Sequence, residues 1–330
     1  MPAEPKQAHV ARDFAADAPL TCCRYDPKGR HIFCGGEDRT ICRFDVATGK
    51  KTVLAGGHDS WIMALAVTPD GGTLVSAGGD DQLTLWPATA ETPAPVRRIK
   101  AHDGWIRCVA VSPDGQVIAS AGNDRVVRLW KTTDGGAVRE FSGHERDIYA
   151  LAWHPSGRQL LSGDLMGQVI QWDLGTGLKA RTFDAAALHT YEGGQQVHYG
   201  GIRGLCLSPD TQTLAAGGLH KATNPLGNVQ EPIVQRFAWQ TGASTKTQLA
   251  DGLANHTLWG LQFHPDGFLV GVVGGGSGHL LFWDGGGEKP FHKFDLPDTA
   301  RGMDIAPGGL EIATVHWDRR IRIVRLAAKA

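Results

Sequence analysis

The chain has 330 residues, with 33 Lys and Arg against 34 Asp and Glu, a formal net charge of −1 and 44 glycines. That balance argues against a general binder of nucleic acid or anionic membrane, which needs a basic surplus, and no apolar run is long enough to span a bilayer. The opening "MPAEPKQAHVARDF" has no apolar core, so it does not read as a secretory signal, and the six cysteines (Cys22, Cys23, Cys34, Cys42, Cys108, Cys206) lack metal-ligand spacing and read as buried, reduced thiols of a cytoplasmic protein.

Along the chain one tight turn returns seven times. It is Asp26-Pro27-Lys28-Gly29, Thr68-Pro69-Asp70-Gly71, Ser112-Pro113-Asp114-Gly115, His154-Pro155-Ser156-Gly157, Ser208-Pro209-Asp210, His264-Pro265-Asp266-Gly267 and Ala306-Pro307-Gly308-Gly309. Each turn leads to a strand ending on a bulky residue: Phe44, Trp86, Trp130, Trp172, Phe237, Trp283 and Val324. The distance from Pro to that residue is 17 in five repeats, 18 in the sixth and 28 in the fifth.

Within a unit the pattern is that of strands. "IMALAV" (62–67), "TLVSAG" (73–78), "LTLW" (83–86) and "VRRIK" (96–100) are short apolar runs bounded by Gly, Pro and Asp. Four strands per unit, at a spacing of 41 to 46 residues in the uninterrupted repeats, is the signature of a β-propeller blade. The expected fold is therefore all-β, a seven-bladed β-propeller of four-stranded antiparallel blades forming a single domain over 1–330. In chain order, residues 9–14 are the closing strand of blade seven. Blade one is 15–54, blade two 55–100, blade three 101–141 and blade four 142–183. Blade five is 184–250, blade six 251–294, and 295–326 form the rest of blade seven. The segment "VARDF" (10–14) is similar to the fourth strand "KARTF" (179–183) of blade four, which is why it is placed as the missing strand of blade seven.

These residues resemble the WD-repeat family. Gly57-His58 and Gly143-His144 stand near blade starts, Ala101-His102 is a near match, and Trp172-Asp173 and Trp283-Asp284 end third strands. The resemblance covers essentially the whole chain and implies ring closure by the N-terminal strand. It also gives meaning to a set of residues that would suit a hydrolytic triad if it occurred once. His58, Ser76, Asp80 and Trp86 sit at −11, +7, +11 and +17 from Pro69, and His102, Ser120, Asp124 and Trp130 repeat those offsets from Pro113. The resemblance implies a buried hydrogen-bonded tetrad, and repetition makes it architecture. Blade four keeps His144, Ser162 and Trp172, but Met166 stands where Asp is expected, with Asp164 two residues early as the substitute. Blade one has Cys34 and Phe44 with Asp38, and blade seven has Thr314 and Asp318 without a matching His or Trp. Blades five (Ala216, Glu231) and six (Val272, Gly276, and His256 two residues late) depart most, so blades two and three are expected to be the most rigid and five and six the least.

Family geometry places two positions of each first strand on one face, eight and six residues before the turn proline. The first set is Pro19, Trp61, Trp105, Asp147, Gly201, Thr257 and Thr299. The second is Thr21, Met63, Arg107, Tyr149, Arg203, Trp259 and Arg301. The residues before the turn Asp add Glu37, Gly79, Asn123 and Trp317. Trp, Tyr and Arg dominate binding hot spots because each joins large area to a directional polar group. The partner-binding residues expected are Trp61, Trp105, Arg107, Tyr149, Arg203, Trp259, Arg301 and Trp317. Blade five carries two insertions, at about 184–200 and 219–232, expected as loops on the same face. They hold His189, Tyr191, His198 and His220, whose spacing is not diagnostic of a metal. "GVVGGGSGH" (271–279) lacks the Lys and helix of a phosphate loop and reads as a loosened turn.

The expectation is a non-catalytic protein-interaction scaffold, monomeric or part of a larger complex, with no cofactor and no metal. Its partner is a protein or peptide, acidic or phosphorylated where the arginines would meet it. A propeller enzyme of hydrolase or lactonase type with a central or loop-borne metal is the alternative. Nucleic-acid binding through the aromatic and Arg rim is a third reading, disfavoured by the neutral charge.

Overall fold

The computed structural model describes residues 2–194, 196–222, 230–250 and 252–329. They form strands almost throughout, with two short 3-10 turns at Pro5–Gln7 and Ala186–Leu188. Contacts divide the chain into two compact units, 1–143 with 301–330 and 144–300.

The first unit opens with β1 (Ala8–Ala15). Blade one follows as β2 (Leu20–Tyr25), β3 (His31–Gly36), β4 (Ile41–Asp45) and β5 (Lys51–Leu54). Blade two is β6 (Ile62–Val67), β7 (Thr73–Gly78), β8 (Gln82–Pro87) and β9 (Arg97–Lys100), and blade three is β10 (Ile106–Val111), β11 (Val117–Gly122), β12 (Val126–Lys131) and β13 (Ala137–Ser142). The second unit holds blade four as β14 (Ile148–Trp153), β15 (Gln159–Asp164), β16 (Gln168–Asp173) and β17 (Leu178–Asp184). A two-stranded hairpin comes next, β18 (His189–Glu192) with β19 (Val197–Gly200). Blade five is β20 (Ile202–Leu207), β21 (Thr213–His220), β22 (Glu231–Ala238) and β23 (Ser244–Leu249). Blade six is β24 (Thr257–Phe263), β25 (Leu269–Gly274), β26 (Gly278–Trp283) and β27 (His292–Leu296). The chain returns to the first unit through β28 (Ala300–Ile305), β29 (Glu311–His316) and β30 (Arg320–Leu326).

Each blade is a four-stranded antiparallel sheet in sequence order, except that β1 completes the last one, giving β1-β30-β29-β28. The fold class is thus the seven-bladed β-propeller read from the sequence. Val10 lies opposite Val324 and Phe14 opposite Ile321, so β1 satisfies the edge that β30 would otherwise leave open. Phe14 also stacks on Phe44 of blade one at 5.5 Å between ring centres.

The turns explain why the strands form where they do. Asp114 Oδ1 accepts from Ser112 Oγ at 2.5 Å and from the Gln116 N–H at 3.0 Å, while Gly115 takes φ of 75°. Gly is the residue that adopts this left-handed conformation without steric cost. Past each such turn, alternate residues pack between adjacent sheets. In the first unit Ile62, Leu65 and Trp86 of blade two meet Phe33, Ile41 and Leu54 of blade one. In the second unit Leu258, Leu261 and Trp283 of blade six meet Ala215 and Val234 of blade five.

The insertions differ from the loops expected. The first folds into β18 and β19, with Tyr191 opposite His198. The second prolongs its own sheet, since β21 and β22 continue pairing out to His220 opposite Glu231, and 223–229 lie outside the described residues.

Candidate functional site

Two sets of polar side chains stand out, one buried and one exposed. The buried set begins with His58, whose Nδ1 lies 3.0 Å from Asp80 Oδ1 and whose Nε2 lies 2.7 Å from Ser76 Oγ. The Trp86 indole N–H donates to the same Ser76 oxygen at 2.9 Å. Blade three repeats this with His102, Asp124, Ser120 and Trp130 at 2.9, 2.7 and 2.9 Å. In blade four His144 reaches Asp164 at 2.7 Å and Ser162 at 2.6 Å, and Trp172 donates to Ser162 at 2.8 Å. Asp164 thus fills the place of the missing aspartate, and it also caps the turn by accepting from the Met166 N–H at 2.9 Å. All three serines are 0% exposed, so no substrate reaches them. Burial pushes the Asp80 and Asp124 carboxyls up, but hydrogen bonds outweigh it and both end below the ordinary carboxylate range. The bonds come from His58 and the Asp59 N–H for Asp80, and from His102 and Arg128 for Asp124.

Other blades depart from the tetrad. In blade one Asp38 instead accepts from the Thr40 hydroxyl at 2.9 Å. In blade seven the Thr314 hydroxyl lies 2.8 Å from His316 Nε2, and Asp318 pairs with Arg322 at 2.5 Å. In blade five Glu231 pairs with Lys221 at 3.0 Å and with His220 at 3.5 Å. In blade six Trp283 donates to the Leu249 carbonyl at 3.2 Å rather than to a serine. Sequence reading missed what replaces the tetrad there. His256, Ser277, His279 and Asp295 form a polar chain that joins the approach to β24, the β25–β26 turn and β27.

Four members of the second set, Arg107, Tyr149, Arg203 and Trp259, stand at a repeated irregularity. In six blades the first strand carries a bulge against the second, and the residue that loses its opposite partner is Thr21, Met63, Arg107, Tyr149, Arg203 or Trp259. A bulge re-aims the extra side chain and increases local twist. Those are the positions six residues before the turn proline.

In the first unit Trp61 and Trp105 are 41% and 38% exposed and lie 6.3 Å apart. The Arg107 guanidinium sits 4.6 Å over the Trp105 ring, and its Nε donates to Asn123 Oδ1 at 2.8 Å. Arg301 sits 4.5 Å over Trp317, itself 50% exposed, and is paired with Glu37 at 2.6 Å. In the second unit Arg203 lies 3.9 Å over the Tyr149 ring and 5.9 Å from that of Trp259, which is 37% exposed. Arginine stacked on an aromatic ring holds that ring in one orientation. Other positions of the two sets are engaged internally. Thr257 is buried and accepts from Gln230 at 2.6 Å, Thr21 donates to the Ile62 carbonyl at 2.5 Å, and Thr299 donates to that of Gly275 at 2.7 Å.

The insertion histidines divide. His189 Nε2 lies 2.9 Å from His198 Nδ1, with the Tyr191 ring 4.8 Å from that of His198, whereas His220 turns to Glu231. Within either unit, among the described residues, no three His, Cys, Asp or Glu side chains close to ligand distance. The cysteines are free thiols. Cys23, Cys34, Cys42 and Cys108 are buried, while Cys22 and Cys206 are partly exposed. Burial pushes the Cys42 thiol up to about 11 and that of Cys206 to about 12. No helix among the described residues is long and apolar enough to cross a membrane.

Seven such sheets with a buried His-Ser-Trp chain in three of them define a repeat propeller. The family model for the WD domain, G-beta repeat, matches residues 9–45, 50–87, 93–131 and 135–173. The chain belongs to the WD-repeat proteins, a family of protein-interaction scaffolds that are generally not enzymes. WD repeat-containing protein 1 of Gallus gallus is 27% identical over 163 residues, which cover 48% of this chain and 27% of that protein. Its counterpart in Xenopus tropicalis is 31% identical over 163 residues, with the same coverage. An uncharacterized WD repeat-containing protein of Schizosaccharomyces pombe is 28% identical over 174 residues, 50% of this chain and 47% of that protein. The chain spans from about a quarter to about half the length of these curated relatives.

Proposed function

We propose that the protein is an interaction scaffold that binds a protein or peptide segment through the aromatic and arginine residues at the starts of its first strands. The observation that carries this reading is the coincidence of bulge and side chain. The bulge positions of four first strands carry Arg107, Tyr149, Arg203 and Trp259, side-chain types suited to contact with a partner. In the first unit an apolar side chain of the partner covers the Trp61–Trp105 pair, and an acidic or phosphorylated residue approaches Arg107. Arg301 is already paired with Glu37, so an acidic group there has to displace a carboxylate. Six cysteines without a disulfide suit a reducing, cytoplasmic location.

The test is selection of binding peptides from a displayed library on the wild-type protein, followed by affinity measurement on Trp61→Ala and Trp105→Ala variants. Each substitution is expected to cost about 2 kcal/mol or more, as hot-spot truncations do. Unchanged affinity in both variants, with the fold intact by circular dichroism, overturns this surface.

A further inference from the structure

The blade-six chain is the one Ser-His-Asp set among the described residues of its unit that does not repeat the family tetrad. Ser277 Oγ lies 2.9 Å from His279 Nε2, and His279 Nδ1 lies 2.8 Å from Asp295 Oδ1. A carboxylate accepts only, so His279 carries its proton on Nδ1 and turns the Nε2 lone pair to the serine hydroxyl. This is the arrangement of a base beside a nucleophile, oriented by a third group. Burial holds His279 below its ordinary value, and the adjoining Lys293 and His256 act the same way against the opposing pull of Asp295. The imidazole is therefore neutral and able to accept a proton at neutral pH. Lys293, 3.1 Å from Asp295, keeps that carboxyl ionised.

Three observations separate this set from the architectural ones. No indole caps the serine, since Trp283 donates to a backbone carbonyl. Ser277 is partly exposed, where Ser76, Ser120 and Ser162 are fully buried. The neighbouring Gly276 is exposed, and a Cβ built there meets nothing within 4 Å, so there is open space beside the hydroxyl. His256 also reaches Ser277 Oγ, at 2.9 Å. Its Nδ1 donates to the Ala254 carbonyl at 2.8 Å, so it competes as an acceptor without a carboxylate behind it. Of the two, His279 has a carboxylate on its far nitrogen to hold the imidazolium that forms when it takes the hydroxyl proton.

We propose that Ser277 is an activated nucleophile that takes an acyl group from a small ester. The Ser277 Oγ–carbon bond forms and the bond from that carbon to the ester oxygen breaks. The hydroxyl proton passes to His279 Nε2 and from there to the departing alcohol, while Asp295 holds the transient imidazolium. The binding role proposed above needs none of this chemistry, and the two readings fail independently.

The experiment treats the full chain with a fluorophosphonate probe, which reports the same attack as an oxygen–phosphorus bond formed with loss of HF. The expected result is a single adduct, mapped to Ser277 by peptide mass spectrometry and absent in Ser277→Ala. His279→Asn is expected to slow labelling by on the order of 100-fold, the usual contribution of a positioned base. Labelling in wild type should rise with pH as His279 loses its proton, with a midpoint below the ordinary imidazole value. No adduct on the folded protein, an adduct on another residue, or wild-type labelling rates in His279→Asn each overturn the proposal.

Discussion

A serine hydroxyl held between an imidazole and an indole has every polar atom satisfied. Ser120 accepts from Trp130 and bonds His102, and His102 in turn holds Asp124. Removing that oxygen leaves two buried groups without partners, each costing about 1–3 kcal/mol. Ser120→Ala is therefore expected to destabilise the protein by roughly that amount or more, read from the midpoint of urea unfolding. An unchanged midpoint would show that the tetrad adds nothing. The carboxylates give a second expectation. Asp80 and Asp124 ionise more readily in the folded protein than in the unfolded chain, so their stabilising contribution is complete above the ordinary carboxylate range. It is lost as pH falls through their depressed folded values. Thermal stability should fall below about pH 4, and less so in Asp80→Asn, which no longer titrates.

Among elements, the blades differ in how their turns are tied. In blades two and three the His-Asp bond fixes the β7–β8 and β11–β12 turns to the chain entering the blade. Blade five has no such link at Ala216, and blade six uses a longer chain that ends on the exposed Asp295. Amide hydrogen exchange should therefore be slowest in β7 and β11 and faster in β21 and β25, since local opening follows the number of ties that must break. Equal protection in all four strands would contradict this. The bulges act at the same scale. They cost one ladder position in six of the first strands, and at one of them Arg203 comes to lie over the Tyr149 ring.

For the whole molecule the decisive contact is the one longest in sequence. β1 pairs with β30 across more than three hundred residues, and Arg12 of β1 bonds Glu311 at 3.1 Å. Deleting residues 2–15 uncovers a full strand edge, which invites pairing between copies. The expected outcome is a lower melting temperature and concentration-dependent association by light scattering. A truncated chain that stays monomeric at wild-type stability would mean that β30 needs no cover.

Much of this was legible in the sequence, and the reason is locality. Turn residues such as Ser112-Pro113-Asp114-Gly115 bond within their own segment, so seven of them announce seven sheets. The constant offsets of His58, Ser76, Asp80 and Trp86 announce side chains that meet across neighbouring strands. Asp164 could be suspected for the same reason. The rest depends on pairing register and on contacts between segments, which composition does not encode. Tertiary structure alone decided that Arg107 lies on Trp105, that Arg301 is neutralised by Glu37, and that His189–Glu192 pairs with Val197–Gly200. It also decided that a glycine-rich turn brings Ser277 to His279, because strand β27 must lie beside β26 before Asp295 can reach that ring.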